Sequence, residues 1–312
     1  MNRGGGIINT MKATREASEA ELADHAMDHL KKMLAMGVTT VEAKSGYGQD
    51  YDTEIKQLHV TRKLNASQPI ELVSTFLGAH AVPPEYKGRS KAFLDFLLKE
   101  VMPVVKKENL AEFCDIFCEE GVFSVDESRQ YLKKAREMGF KLKIHADEIV
   151  SLGGSELAGE LKATSADHLL HASDAGIKAM AENGVVSTLL PTTAFCLREP
   201  FARAREMIDA GCAVALATDF NPGSGFTFSV PLMLGLAVIY MHMTAEEAIT
   251  ALTLNGAAAV GRADRIGSIE VGKQADLTIL QYPSYKFLPY HTGVNIVEKV
   301  IKKGELVHTA SV

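Results

Sequence analysis

Residues 124–148 read SVDESRQYLKKAREMGFKLKIHADE and contain one complete helix-to-strand unit. Ser124 and Glu127 have the spacing of a capping box, which predicts that a helix begins there. Gly139 predicts the end of that helix, because glycine readily adopts the left-handed backbone that closes a helix. Residues 140–145 alternate between apolar and polar side chains, which is typical of a strand. The unit is therefore a helix, a tight turn, and a strand that ends in ligand-type side chains.

The same unit recurs along the chain. Ser18 and Glu21 predict another capped helix, and Gly37 predicts its end directly before an apolar run. In total we predict seven strands, at residues 38–43, 70–77, 113–118, 140–145, 165–170, 185–190 and 212–218. Regular alternation of strands and helices favours parallel strands joined by helical crossovers, as in a (β/α)8 barrel or an open doubly wound sheet. Seven strands are one fewer than a closed barrel has, so we expect either that one strand precedes Met1 in the complete gene product or that the sheet is open.

The pattern changes after the seventh predicted strand. Residues 267–280 and 297–307 are strand-like runs with glycine turns between them. We therefore predict an α/β fold with two parts. Residues 1–260 form a TIM-type (β/α)8 barrel whose first strand is absent from this chain, and residues 261–312 form the C-terminal part of a small β-sandwich domain.

Composition narrows the class of protein. The chain has 312 residues, 46% of them hydrophobic, and 33 basic against 39 acidic residues give a net charge of −6. This is an ordinary globular composition without a basic block, so it argues against disorder and against a nucleic-acid partner. No run approaches the roughly 20 apolar residues of a membrane span, so we expect no membrane partner. The four cysteines form no CxxC pair, which favours a reducing compartment, and we predict a cytoplasmic protein.

Polar side chains that can bind ligands follow most of the predicted strands. They are Lys44, Tyr47, His80, Glu119, His145, Glu148, His168, Asp219 and Asn221. Because the carboxyl ends of barrel strands meet at one mouth, these side chains are expected to converge there. Any one of them alone is more often a structural residue, and only their convergence favours a site. Histidine and carboxylate together suit a zinc- or iron-class ion, which lowers the pKa of bound water to about 7. No nucleotide-binding glycine loop and no GxSxG elbow occurs.

Five segments contain most of these side chains. They are TTVEAKSGYG at 39–48, FLGAHAVP at 76–83, IHADE at 144–148, SADHL at 165–169 and ATDFNPGS at 217–224. Together they resemble the imidazolonepropionase family of the amidohydrolase superfamily, and the resemblance extends over essentially the whole chain. The segments KSGYG and DFNPG are specific to that family, whereas the C-terminal strands match only at the level of the superfamily.

The resemblance implies roles for these residues and a reaction. It implies that His145 and Asp219 bind one divalent or trivalent metal, zinc or iron, and that Asp219, Glu148 and His168 are catalytic. It also implies a set of substrate-binding residues: Tyr47, His80, Glu148, Asn221, Gly223 and Ser224. The implied reaction is metal-dependent hydrolysis of the cyclic amide of the small molecule 4-imidazolone-5-propanoate, which gives N-formimidoyl-L-glutamate in histidine degradation. Asp219 would take a proton from water, and His80 or His168 would stabilise the oxyanion. A homodimer is left open.

The chain departs from the family pattern at one point. The family's metal site also takes two histidines from a His-x-His motif on the first barrel strand, together with an upstream arginine, and this sequence contains no His-x-His. We therefore expect the chain to lack the family's N-terminal segment. Two alternatives are kept: another amidohydrolase such as a purine or pyrimidine deaminase, and an inactive truncated or degenerate barrel.

Overall fold

The main element of the fold is a curled sheet of seven parallel strands. The structure is a computed structural model, and it describes residues 6–310. The strands pair in chain order and are β1 (Thr40–Lys44), β2 (Glu71–Ala79), β3 (Phe113–Cys118), β4 (Lys141–Ala146), β5 (Ser165–His168), β6 (Val186–Leu189) and β7 (Val214–Leu216). Each lies within or overlaps a predicted strand. The sheet is that of a (β/α)8 barrel without one strand, so the predicted fold class is confirmed.

Helices connect the strands and cover the outside of the sheet. They are α1 (Ile7–Glu16), α2 (Glu19–Ala35), α3 (Tyr51–Ser67), α4 (Ser90–Phe96), α5 (Met102–Lys107), α6 (Val125–Glu137), α7 (Gly154–Glu160), α8 (Asp174–Asn183), α9 (Pro191–Leu197), α10 (Ala204–Asp209), α11 (Val230–Tyr240), α12 (Ala245–Leu252), α13 (Leu254–Ala259) and α14 (Phe287–Tyr290). A 3-10 turn (Pro84–Tyr86) precedes α4, and a π-helical segment (Leu97–Val101) joins α4 to α5. None of the helices within residues 6–310 combines the length and the apolar run that crossing a membrane requires.

The predicted capping boxes form as the sequence indicates. Ser124 accepts a hydrogen bond from the backbone N–H of Glu127, and the Glu127 carboxylate accepts one from the backbone N–H of Ser124 at 3.0 Å. The same reciprocal pair opens α2. Gly37 and Gly139 follow these two helices with φ values of 87° and 86°, in the left-handed region that favours glycine. These local signals fix where each helix ends and the next strand begins.

The core lies between the sheet and its helices. All six residues of β3 are buried, and large side chains such as Phe76, Ile116 and Tyr131 are almost completely enclosed. Each enclosed side chain of this size contributes roughly 1.5–3 kcal/mol of hydrophobic stabilisation. This core holds the strands rigidly, so side chains at their carboxyl ends are presented from a fixed frame.

A second, antiparallel sheet packs against α2. It consists of β8 (Leu277–Leu280), β9 (Val297–Lys302) and β10 (Glu305–Thr309), with β9 in the centre. Asn295 donates a hydrogen bond to the carbonyl of Ala35 at 2.8 Å, which ties this sheet to the end of α2. The strand-like run predicted at 267–280 forms a strand only from Leu277 onward. Earlier in that run Ile269 is 89% exposed, and none of the described strands pairs with it.

Candidate active site

A network of charged side chains fills the interior of the barrel below its mouth. Nζ of Lys44 lies 2.7 Å from Asp115, 2.9 Å from Asp167 and 3.0 Å from Glu42. Nζ of Lys143 lies 3.0 Å from the other oxygen of Glu42. Burial alone would lower the pKa of Lys44, but the charges of Asp115, Asp167 and Glu42 raise it well above its ordinary value. Lys44 was predicted at a strand end, and the structure makes it the shared cation of this network.

Four of the predicted side chains meet at the mouth of the barrel. The ring centroids of Tyr47 and His80 are 5.2 Å apart, those of His80 and His145 are 5.8 Å apart, and those of His145 and His168 are 5.1 Å apart. These residues come from the ends of β1, β2, β4 and β5. Phe117 packs against His80 and His145 and supplies an apolar wall. The convergence expected of parallel strands is therefore present in the structure.

His145 lies between this mouth and the charged network. Its Nδ1 is 3.0 Å from Oδ2 of Asp115, but the angle is not that of a hydrogen bond. Burial alone would lower the pKa of His145, yet the negative charge of Asp115 raises it overall. The pKa of Asp115 is in turn lowered far below its usual range, because His145 and Lys44 outweigh the effect of burial. Asp115 was not predicted from the sequence, where its only signal is that it is one acidic residue within the apolar run of β3.

His168 and Glu148 form a second close pair. Nδ1 of His168 lies 3.5 Å from Oε1 of Glu148, and His168 is almost completely buried. The backbone of His168 has a φ of 76°, and the next residue, Leu169, has a φ of 61°. Left-handed backbone is rare for residues other than glycine, and it clusters at functional sites. The turn after β5 thus places an imidazole beside a carboxylate.

The loop that carries Glu148 is wrapped around the buried carboxylate of Asp147. Oδ1 of Asp147 accepts the backbone N–H groups of Leu152, Gly153 and Gly154, at 3.0 to 3.1 Å. Oδ2 accepts the N–H and the hydroxyl of Ser155. An anion at this point is favoured twice, because it satisfies free N–H groups at the start of α7 and faces the positive end of the helix dipole. Asp147 lies within the segment IHADE, and no role was predicted for it from the sequence.

Asp219 is held by residues of two elements. Its Oδ2 accepts a hydrogen bond from Oγ1 of Thr193 at 2.7 Å, and its backbone has a φ of 49°. Asn221 donates to the backbone carbonyl of Asp219 at 2.8 Å. The side-chain carbonyl of Asn221 accepts the N–H groups of Gly223 and Ser224, both at 2.8 Å. The polar groups predicted to contact substrate in this loop therefore bond to one another, and their contact with substrate stays a prediction.

The loop that carries Tyr47 is built around Glu54 of α3, a fully buried residue. The Glu54 carboxylate accepts backbone N–H groups from Gly46, Gly48 and Gln49, at 2.9 to 3.0 Å. Burial raises the pKa of Glu54, and these hydrogen bonds offset part of that rise. The pKa of Tyr47 is also raised by burial, and further by the nearby charges of Asp219 and Glu148. Tyr47 therefore keeps its hydroxyl hydrogen at neutral pH.

The ring nitrogen of His80 that points into the protein has a fixed partner. Nδ1 of His80 lies 3.1 Å from the backbone carbonyl oxygen of Gly46. Because a carbonyl oxygen only accepts hydrogen bonds, this network assigns the hydrogen to Nδ1. Burial lowers the pKa of His80 to about 3. In its neutral form the ring then presents Nε2 as a hydrogen-bond acceptor.

The donors for a metal ion were predicted as His145 and Asp219. Within residues 6–310, the only group of three residues whose ligand atoms lie close enough together to hold an ion is Asp115, His145 and Asp167. Both carboxylates of that group already contact the ammonium of Lys44. A metal in the middle of the group would compete with this cation. His145 thus belongs both to the predicted site and to this group of three, whereas Asp219 is not a member of the group.

Comparison with known proteins identifies the family of the chain. The family model described as Amidohydrolase family matches residues 2–307. The chain is 65% identical over 311 residues to an imidazolonepropionase from Clostridium tetani, covering 100% of this chain and 74% of that protein. It is 62% identical over 306 residues to an imidazolonepropionase from Parabacteroides distasonis, covering 98% of this chain and 74% of that protein.

Solved structures with the same fold are more distant in sequence. Guanine deaminase from E. coli has a TM-score of 0.73 at 15% identity, covering 97% of this chain and 78% of that one. An adenosine deaminase from Xanthomonas campestris, solved with bound zinc, has a TM-score of 0.67 at 20% identity, covering 93% and 70%. These two likenesses extend to the fold alone. By its family match and by its relatives at more than 60% identity, the chain belongs to the amidohydrolase family and, within it, to the imidazolonepropionases.

Proposed function

We propose that this chain hydrolyses the cyclic amide of 4-imidazolone-5-propanoate to N-formimidoyl-L-glutamate at the mouth of the barrel. It is a hydrolase acting on a C–N bond in histidine degradation, and its substrate is a small molecule. The observation that carries the proposal is the meeting of Tyr47, His80, His145 and His168 at the ends of four strands. The high identity to imidazolonepropionases favours this reaction over a deaminase.

The donor chemistry of the site fits a metal of the zinc or iron class. His145 offers a buried imidazole whose Nε2 forms no hydrogen bond with the described residues, and Asp219 offers a half-buried carboxylate. Nitrogen and oxygen donors of this kind suit zinc and iron. We propose that His145 and Asp219 hold the ion, which when bound supplies Lewis acidity and makes water more acidic. Asp115 and Asp167 remain ion-pair partners of Lys44 and are not proposed as metal ligands.

Asp219 is the proposed general base. The hydrogen bond from Thr193 fixes one carboxylate oxygen, so the other is free to accept a proton from the attacking water. The water oxygen bonds to the ring carbonyl carbon, and the bond from that carbon to the ring nitrogen breaks. The carbonyl becomes the new carboxylate, and the ring nitrogen leaves with a proton. Positioned proton transfer of this kind contributes about 10²- to 10⁴-fold in rate.

The remaining residues bind the substrate and move its proton. With its hydrogen on Nδ1, neutral His80 presents an acceptor at Nε2, which suits a ring N–H of the substrate better than an oxyanion. The oxyanion role therefore falls to His168. The proton that Asp219 takes from water is transferred to the leaving nitrogen, and Glu148, beside His168, is suited to relay it by accepting that proton and then donating it. Tyr47 keeps its hydroxyl hydrogen and uses it to donate a hydrogen bond to the substrate.

A direct test is product analysis on the full chain reconstituted with zinc or iron. We expect formimidoylglutamate without release of ammonia, whereas ammonia would favour a deaminase. Asp219→Asn should lower turnover about 10²-fold or more. The matched control is Asp209→Asn at the end of α10, an exposed residue paired with Arg205, which should leave turnover unchanged. Undiminished turnover in Asp219→Asn would refute the assignment of Asp219 as the general base.

A further inference from the structure

The carboxylate of Asp115 is held in place by two contacts that do not involve His145. It lies in the middle of β3 and is completely buried. Oδ1 accepts the backbone N–H of Ile116 at 2.7 Å, and Oδ2 lies 2.7 Å from Nζ of Lys44. A carboxylate that is bonded on both oxygens has little freedom to rotate. Its position is therefore set by the backbone of β3 and by the cation from β1.

The anchored carboxylate faces only one of the two ring nitrogens of His145. β3 and β4 are neighbours, with Phe117 paired to His145, and Nδ1 of His145 lies 3.0 Å from Oδ2 of Asp115. Among the described residues, no side chain or backbone group forms a hydrogen bond with Nε2 of His145. The ring therefore has one nitrogen beside an anion and the other free for a ligand.

We propose that Asp115 is a positioning residue, whose anchored negative charge 3.0 Å from Nδ1 of His145 orients the ring so that Nε2 is the nitrogen that binds the metal. Nζ of Lys44, 2.7 Å from Oδ2, holds the carboxylate of Asp115 in place. The inference deepens the proposed function, because it rests on a metal at His145. A carboxylate behind a metal-binding histidine fixes the ring and raises its basicity, and loss of such a partner typically costs 10- to 100-fold in metal affinity.

Asp167 provides a matched comparison within the same network. It is also buried and lies 2.9 Å from Nζ of Lys44. It sits beside His145 in the register of β4 and β5, yet it forms no ion pair with that ring. Removing Asp167 takes one carboxylate from Lys44, as removing Asp115 does, but leaves the partner of His145 in place.

The comparison also separates two locations for the ion. If the metal lay among Asp115, His145 and Asp167, both carboxylates would be ligands, and losing either would weaken binding. If the metal lies on Nε2 of His145, only the loss of Asp115 matters.

The experiment measures metal binding rather than turnover. The full chain and its Asp115→Ala, Asp115→Asn and Asp167→Ala variants are titrated with Zn²⁺, and with Co²⁺ as a spectroscopic probe. We expect Asp115→Ala to weaken binding 10- to 100-fold. Asp167→Ala should bind within about threefold of the parent. Asp115→Asn retains an oxygen acceptor beside Nδ1 and should recover part of the loss. The d–d bands of bound Co²⁺ should change in Asp115→Ala and remain unchanged in Asp167→Ala.

Each other outcome overturns the inference. Equal weakening by the two alanine variants would put the ion among the three residues. No weakening by either, or no binding to the parent chain, would also refute it. If Asp115→Ala does not fold, as judged by circular dichroism, Asp115→Asn decides by the same criteria, with a smaller expected loss. A parent chain that binds metal but does not hydrolyse the imidazolone would refute the proposed function and leave this inference standing.

Discussion

Replacing Asp147 with Ala should destabilise the protein more than replacing an acidic residue on the surface. The carboxylate accepts five hydrogen bonds, four of them from successive backbone N–H groups. Leu152 and Gly153 are partly exposed, so water can replace the lost acceptor for their N–H groups. Gly154 and Ser155 are buried, and each donor left unsatisfied costs about 1–3 kcal/mol. We therefore expect a loss of about 2–6 kcal/mol in the free energy of unfolding.

The assay is urea unfolding followed by far-UV circular dichroism, since the chain has no tryptophan for fluorescence. The matched control is Asp126→Ala, which removes an acid from the first turn of α6. Asp126 is 84% exposed and forms a surface ion pair with nearby Arg129, so its loss should cost less than about 1 kcal/mol. A loss of under about 1 kcal/mol for Asp147→Ala would refute the reasoning. It would mean that the loop after β4 does not depend on this carboxylate.

Two further outcomes follow from the buried acids. In Glu54→Gln, an amide N–H₂ group replaces one of the carboxylate oxygens that accept hydrogen bonds from the backbone. Two donors then face each other, so the loop that carries Tyr47 should shift. KM should rise about tenfold or more with unchanged metal content, and steady-state kinetics with metal analysis would detect it; an unchanged KM would contradict this role of Glu54. The lowered pKa of Asp115 predicts a pH dependence. Its stabilisation is complete above the unfolded value of about 3.9 and is lost as pH falls towards the lower folded value. The gap in urea midpoint between the parent and Asp115→Asn should therefore narrow below about pH 4, and a gap that widens there would contradict this sign.

The elements that the sequence predicts correctly depend on local signals. Ser124, Glu127 and Gly139 lie within sixteen residues of one another, and each acts on the backbone next to it. The strand-end histidines were found for a related reason. Once parallel strands are predicted, the ends of the strands are known to meet, and no knowledge of distant contacts is needed.

The residues that sequence reasoning missed depend on contacts between distant parts of the chain. Asp115 sits within an apolar strand, and its importance comes from Lys44, which is 71 residues away. Thr193 is unremarkable in the sequence and becomes informative only because α9 carries it to Asp219. His80 was correctly placed at the mouth, but the hydrogen on its Nδ1 follows from a carbonyl 34 residues earlier. Residue type and spacing therefore indicate which side chains gather, whereas tertiary contacts decide which atom each one presents.

The same division explains how loops can carry precise chemistry in this fold. Tyr47 and Glu148 both lie on loops, which would cost conformational entropy to order around a substrate. Each loop is instead organised around a buried carboxylate that takes no part in the reaction, Glu54 in one case and Asp147 in the other. In each loop the acceptor is a carboxylate enclosed by backbone N–H groups. Moving the loop would therefore leave several N–H groups without a hydrogen-bond partner at once. The ordering cost is thus met during folding, and the reactive side chains are already in place when substrate arrives.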